Sequence, residues 1–154
     1  MAGPTHAQTA GAIPVAFVLC IVGLFVGELA KMLYLLFVGP MFEGGVLNWL
    51  SGGLFGEIAL SWFPPLLQGM IGGTVGIYLT SQILKRANYL IVAYALAAVV
   101  GAFGLVGVAG LLQRNGVDLA QVAVVANTVG TVVGLFIGWR SIREARPETD
   151  VAPQ

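Results

Sequence analysis

The chain has 154 residues, 58% hydrophobic and only 9% charged, with 7 Lys/Arg balanced by 7 Asp/Glu. Soluble domains are roughly 25% charged. A mean hydropathy of +0.92 therefore excludes an ordinary soluble globule and a disordered chain, and the zero net charge leaves no basic surface for nucleic acid.

A single cysteine and a single histidine narrow the chemistry further. They rule out a disulfide framework and a zinc site of about four ligands. His6 stands near the N-terminus, so the apolar runs cannot hold a Ser-His-Asp or Cys-His arrangement. No catalytic residue, cofactor or metal is expected. The expected fold is all-α and integral to a membrane: a bundle of four transmembrane helices at about 13–38, 64–84, 89–112 and 119–139. An interfacial or re-entrant segment is expected at 41–63, a polar tail at 1–12 and a disordered tail at 147–154. Residues 13–146 form a single domain.

In chain order, the small polar residues Thr5, His6, Gln8 and Thr9 read as a short tail without the positive start of a signal peptide. Residues 13–38 are longer than the ~20 that cross a bilayer core. Pro14 suits a first helical turn, and Gly39-Pro40 predicts the stop. Glu28 and Lys31 interrupt the run three residues apart, so they share one face. Segment 41–63 holds Glu43, Asn48, Trp49, Ser51, Glu57, Ser61 and Trp62 among several glycines. Tryptophan suits the headgroup level, and a fifth span at 46–63 is the competing reading. Pro64-Pro65 opens the next helix, Lys85-Arg86 marks a basic loop, and Asn115-Gly116 marks a turn. Arg140, Arg143 and Arg146 follow the last span. The positive-inside rule puts the 85–86 loop and the C-terminus on the cytoplasmic side. A bacterial inner membrane fits this pattern. The side of the N-terminus depends on whether 46–63 crosses.

Small residues four apart let membrane helices approach closely. The spacing occurs at Gly23 and Gly27, at Gly69 and Gly73, at Gly72 and Gly76, and at Gly130, Gly134 and Gly138. These faces serve either packing inside one bundle or, best for the 130–138 stripe, contact between protomers or with a larger partner. Gly101, Gly104, Gly107 and Gly110 recur every third residue and drift around their helix. Gly73-Thr74-Val75-Gly76 faintly echoes Gly130-Thr131-Val132-Val133-Gly134, which hints at two tandem hairpins of one orientation.

Glu28 and Lys31 are the leading functional candidates, because an ionisable group inside a span is costly and usually has a task. The pair fits a structural register group, an ion- or proton-handling site, or a contact with a charged partner. Glu57 either faces Lys31 from a re-entrant segment or faces water. Gln68, Asn127 and Thr131 are the polar groups in other spans, and Asn127 and Thr131 lie one turn apart, either joining helices by hydrogen bonds or lining a polar path. The arginines after the last span read as a topology signal that also attracts anionic lipid.

In size, span number and glycine content the chain resembles the proteolipid ring subunit of rotary ATPases. That family carries its ion-binding carboxylate within a late, ring-forming helix. Here the glycine-stripe helix 119–139 contains no carboxylate, and the only intramembrane glutamate is Glu28, beside Lys31; this departure counts against membership. Accessory subunits of multi-part transporters are similar in architecture alone. The sequence thus leads to a non-catalytic accessory or assembly subunit of a membrane complex. The alternative is an oligomeric ion channel or small-solute transporter with Glu28 and Lys31 on its pathway. The expected partners are the lipid bilayer and either further copies of the chain or a larger membrane-protein complex.

Overall fold

The computed structural model describes residues 5–42, 44–45, 47, 49, 53–85, 87–115 and 119–145, without the side chains of 114–115 and 119–120. Among the described residues there are helices and turns and no strand. The elements are α1 (His6–Phe42), a short α2 (Leu54–Glu57) leading into a π-helical turn (Ile58–Trp62), α3 (Phe63–Ile83), α4 (Tyr89–Asn115) and α5 (Leu119–Ala145). Glu43, Asn48, Ser51, Arg86, Gly116 and Arg146 lie outside the described residues.

Helix α1 starts at His6, not at Ile13, and the expected tail is its first two turns. The cause is a reciprocal cap. The Gln8 amide N–H donates to Thr5 Oγ1 at 3.3 Å, and the Thr5 N–H donates to Gln8 Oε1 at 3.1 Å. This is the Thr-x-x-Gln form of the capping box. The added turns carry a buried face, Thr9, Ala12 and Ala16. Nor does Pro40 stop the helix; α1 runs on to Phe42. Pro14 and Pro40 both lie inside it on exposed positions near its ends, where a lost backbone hydrogen bond costs least.

Segment 41–63 differs from the expected separate interfacial element. Its described C-terminal part, from Leu54, passes without interruption into α3. The widened turn at 58–62 has a local cause. Pro64 and Pro65 bring no N–H and their rings crowd the carbonyls four residues back. The Phe63 N–H, the last donor before them, reaches five residues back to Ile58 O, which is the π pattern. At the other end of α3, Asn88 opens α4 by accepting from the Leu90 and Ile91 N–H groups at 3.2 and 3.4 Å, the usual work of an N-cap side chain.

Glycine contacts fix the packing order. In α1 against α3, Gly23 faces Gly72, Gly27 faces Gln68 and Cys20 faces Gly76, so these helices are antiparallel. In α3 against α5, Gly130 faces Leu66, Gly134 faces Met70 and Gly138 faces Thr74 and Ile77, so these two run parallel. Gly104 and Gly107 of α4 meet Thr128 and Val124 of α5. The N-terminus, the 84–88 connection and the end of α5 therefore share one end of the bundle. There Asn88 N–H donates to Thr9 Oγ1 at 3.2 Å, and Ala12, Ala16, Val92, Ala93, Leu96 and Ile142 form the core with Ile77 and Leu135.

Among the described residues three helices are long and apolar enough to cross a membrane: His6–Phe42, Tyr89–Gln113 and Gln121–Ala145. Helix α3 is not among them. It spends its length on Pro64, Pro65, Gln68, four-residue glycine spacing and Thr80. The reason lies in its place between α1 and α5: a helix approached closely on two sides needs small residues more than long apolar ones.

A lateral cleft with one polar layer

The register of the helices brings six polar side chains to one level. Gly27 sits against Gln68, so Glu28 and Lys31 of α1 stand beside the start of α3. Gly69 sits against Asn127 and Thr131 of α5, and Thr128 of α5 sits against Gly104 of α4. Lys31, Gln68, Asn127, Thr128 and Thr131 all line one cleft of about 500 Å³. Glu28 stands at its edge, bonded to Lys31. The rest of the lining is apolar and includes Phe17, Cys20, Ile21, Leu24, Leu96, Val100 and Phe103.

The local contacts are specific. Lys31 Nζ lies 2.7 Å from Glu28 Oε1, with about a quarter of the lysine and a third of the glutamate side chain exposed. The same ammonium donates to Gln68 Oε1 at 3.5 Å. Thr131 Oγ1 donates within its own helix, to Asn127 O at 2.9 Å and Asn127 Oδ1 at 3.3 Å. Thr128 Oγ1 likewise donates to Val124 O at 2.7 Å. The expected interhelical bond through Asn127 and Thr131 is thus replaced by local ones. The hydroxyl that does bridge α3 and α5 is Thr74, donating to Gly134 O at 3.0 Å. The short side chains of threonine favour such bonds to a carbonyl one turn back.

Glu57 is exposed on α2 and takes no part in the cleft. Glu43 lies outside the described residues. Gly69, Gly73, Gly130, Gly134 and Gly138 all point into the α3–α5 contact, and Gly76 points at Cys20 of α1. Gly130, Gly134 and Gly138 are therefore buried against α3 within the chain, the packing use of the stripe. Arg140 pairs with Glu144 at 2.8 Å on the exposed end of α5.

Two members of the polar layer, Gln68 and Thr128, are not among the site residues that the sequence singles out. The Asn-Thr-x-x-Thr run at 127–131 inside an apolar helix is the signal that points to Thr128, since residues one turn apart share a face.

The mouth of the cleft lies between α1 and α4. Ile21 of α1 and Phe103 of α4 line it and are exposed as well. Toward the end of the bundle that holds the N-terminus it stops at the packed cluster of Ala16, Val92, Ala93 and Leu96, each 0–1% exposed. Among the described residues the cleft is thus a lateral recess with a closed floor toward that end.

Fold and recess together define a class: an all-helical bundle with three helices fit to cross a membrane and one polar layer reached from the side. Compared with known proteins, the chain matches no family model, no curated protein and no solved structure.

Proposed function

We propose that the chain is a non-catalytic integral membrane subunit that serves the assembly or stability of a larger membrane complex. In this reading it crosses the membrane four times, with α3 as the enclosed fourth span and the C-terminus on the cytoplasmic side of a bacterial inner membrane. The observation that carries it is the closed floor of the recess. Lys31 and Glu28 neutralise each other at 2.7 Å, and the packed cluster closes the way to the basic end. A route for ions or solutes would have to pass that end, and the described residues leave no passage through the cluster. The four-residue glycine faces of α1, α3 and α5 are also consumed inside the chain, as suits a preformed rigid bundle.

The second reading, an oligomeric channel or small-solute transporter, draws on the polar layer itself. Intramembrane charges commonly mark transport paths, and further copies of the chain would have to supply a way past the closed floor. Gentle purification of the tagged protein from its native membrane, followed by intact-mass analysis, separates the two. The accessory reading expects a defined complex with other polypeptides. A homo-oligomer that conducts ions or solutes in vesicles would overturn it.

A further inference from the structure

We propose that the recess between α1 and α4 is a binding site for one acyl lipid. The lipid enters sideways from the bilayer, with its chain along Phe17 and Leu24 and its ester carbonyls at Lys31, Gln68 and Asn127. The inference rests on the membrane-spanning reading but not on the accessory role.

Three observations lead there. The first is size. About 500 Å³ falls within the roughly 300–1,000 Å³ of pockets that hold one small molecule. It is far too little for a partner's transmembrane helix of ~20 residues. The second is the distribution of polarity. The recess is apolar from Phe17 to Leu24 and polar only at the level of Lys31. At 1.5 Å per residue, Phe17 and Lys31 stand roughly 20 Å apart along α1, the proportions of a molecule with one polar end and a long apolar tail. The third is an imbalance of donors. The Gln68 and Asn127 side-chain NH₂ groups find no acceptor among the described residues, and Lys31 has a third N–H beyond its bonds to Glu28 and Gln68. The one carboxylate nearby is already spent on Lys31. Within a bilayer each unmet polar group is costly, so the fitting occupant brings acceptors and no charge. The carbonyls of an acyl ester do that. A cluster of waters suits the polar end alone, because apolar cavities stay dry.

The orientation agrees with the bundle. The polar layer lies away from the basic end formed by Arg140 and Arg143, so the lipid belongs to the leaflet opposite the cytoplasm. Its chain points toward the closed floor at Leu96. Ile21 and Phe103 flank the mouth through which it passes.

The test uses the full-length protein in vesicles of phosphatidylethanolamine and phosphatidylglycerol doped with a phosphatidylcholine that carries a photoreactive diazirine on one acyl chain. Peptide mapping should find one saturable adduct per chain, concentrated on Phe17, Ile21, Leu24 and Phe103 by about tenfold over Phe25, Leu29 and Leu36, equivalent to roughly 1.4 kcal/mol. The latter three are exposed on α1 and lie outside the recess. Val100→Trp fills the recess and should abolish the saturable adduct. Asn127→Leu removes one donor without adding bulk and should weaken it about tenfold, roughly 1.4 kcal/mol, which keeps the test decisive if the tryptophan variant does not fold. Equal labelling of recess and outer face, or an adduct unmoved by either substitution, overturns the proposal. Absence of lipid labelling at Phe25, Leu29 and Leu36 as well would mark a failure of the membrane-spanning reading itself.

Discussion

Replacing Gly130 by alanine adds one methyl group where α5 lies against the backbone of α3. The new Cβ would meet the Leu66 carbonyl oxygen and would stand 2.9 Å from its carbon and 3.0 Å from its Cα. Carbon contacts settle near 3.5–4.0 Å, so the two helices must part by about 0.5–1 Å. A gap of that size forfeits about a quarter to a half of each dispersion contact along the face. Backbone atoms cannot rotate away as a side-chain tip can. Overpacking of this kind costs roughly 1–3 kcal/mol. Gly101 of α4 provides the control, because a Cβ there has nothing within 4 Å. Alanine at a mid-helix glycine gains roughly 0.5–1 kcal/mol in propensity, so Gly101→Ala should be neutral or stabilising. Reversible unfolding of both variants in mixed micelles, titrated with dodecyl sulfate and followed by tryptophan fluorescence, measures the contrast. Equal effects of the two substitutions, or no loss at Gly130, would refute the packing geometry.

Other consequences are as direct. Lys31→Met leaves the Glu28 carboxylate partly buried and unpaired and should cost about 1–3 kcal/mol; Glu28→Gln keeps an acceptor for Lys31 and should cost less, with the double variant Glu28→Gln/Lys31→Met recovering part of the lysine loss in the same titration. Thr74→Val removes the bridge to Gly134 O and should lower stability by roughly 0.6 kcal/mol, the average for interhelical bonds in membrane proteins, whereas Thr74→Ser should not. Thr5→Ala breaks the cap of α1 at a cost of roughly 0.5–2 kcal/mol, and hydrogen exchange should rise at the amides of the first turn while those near Gly23 stay protected; unchanged exchange at the first turn would refute the capping box.

Long apolar runs made the helices legible, because a run of that length has few other stable forms. What could not be read were features set by contact between segments. The start of α1 depended on a Thr5–Gln8 pair inside a stretch that looked like a tail, and on a buried face where Thr9 meets Asn88 and Ala12 joins the core. The continuity of α2 with α3 depended on one N–H reaching back over two prolines. The low hydropathy of α3 follows from its enclosed position, which no property of the 64–84 segment alone reveals. For the site, the four-residue spacing of Asn127 and Thr131 placed them on one face, but nothing in the spacing told that Lys31 and Gln68 stood at the same level. That depends on the register of α1 against α3, which Gly27 and Gly23 fix by close approach. The use of the 130–138 stripe was likewise undecidable from spacing, since a partner in the same chain and one in another chain ask for the same glycines.

The number of crossings is the point on which the fold and the function proposal both turn. Hydropathy alone supports three, which would put the two termini on opposite sides of the membrane. The packing of Thr9 against Asn88, at the end where α5 finishes, puts them at one end of the bundle, which the four-span proposal reads as one side. Protease-cleavable tags at the N- and C-termini, probed in right-side-out and inverted vesicles, decide between these. Cleavage of both tags only in inverted vesicles is the predicted result. Cleavage of one tag in each preparation would contradict the four-span bundle.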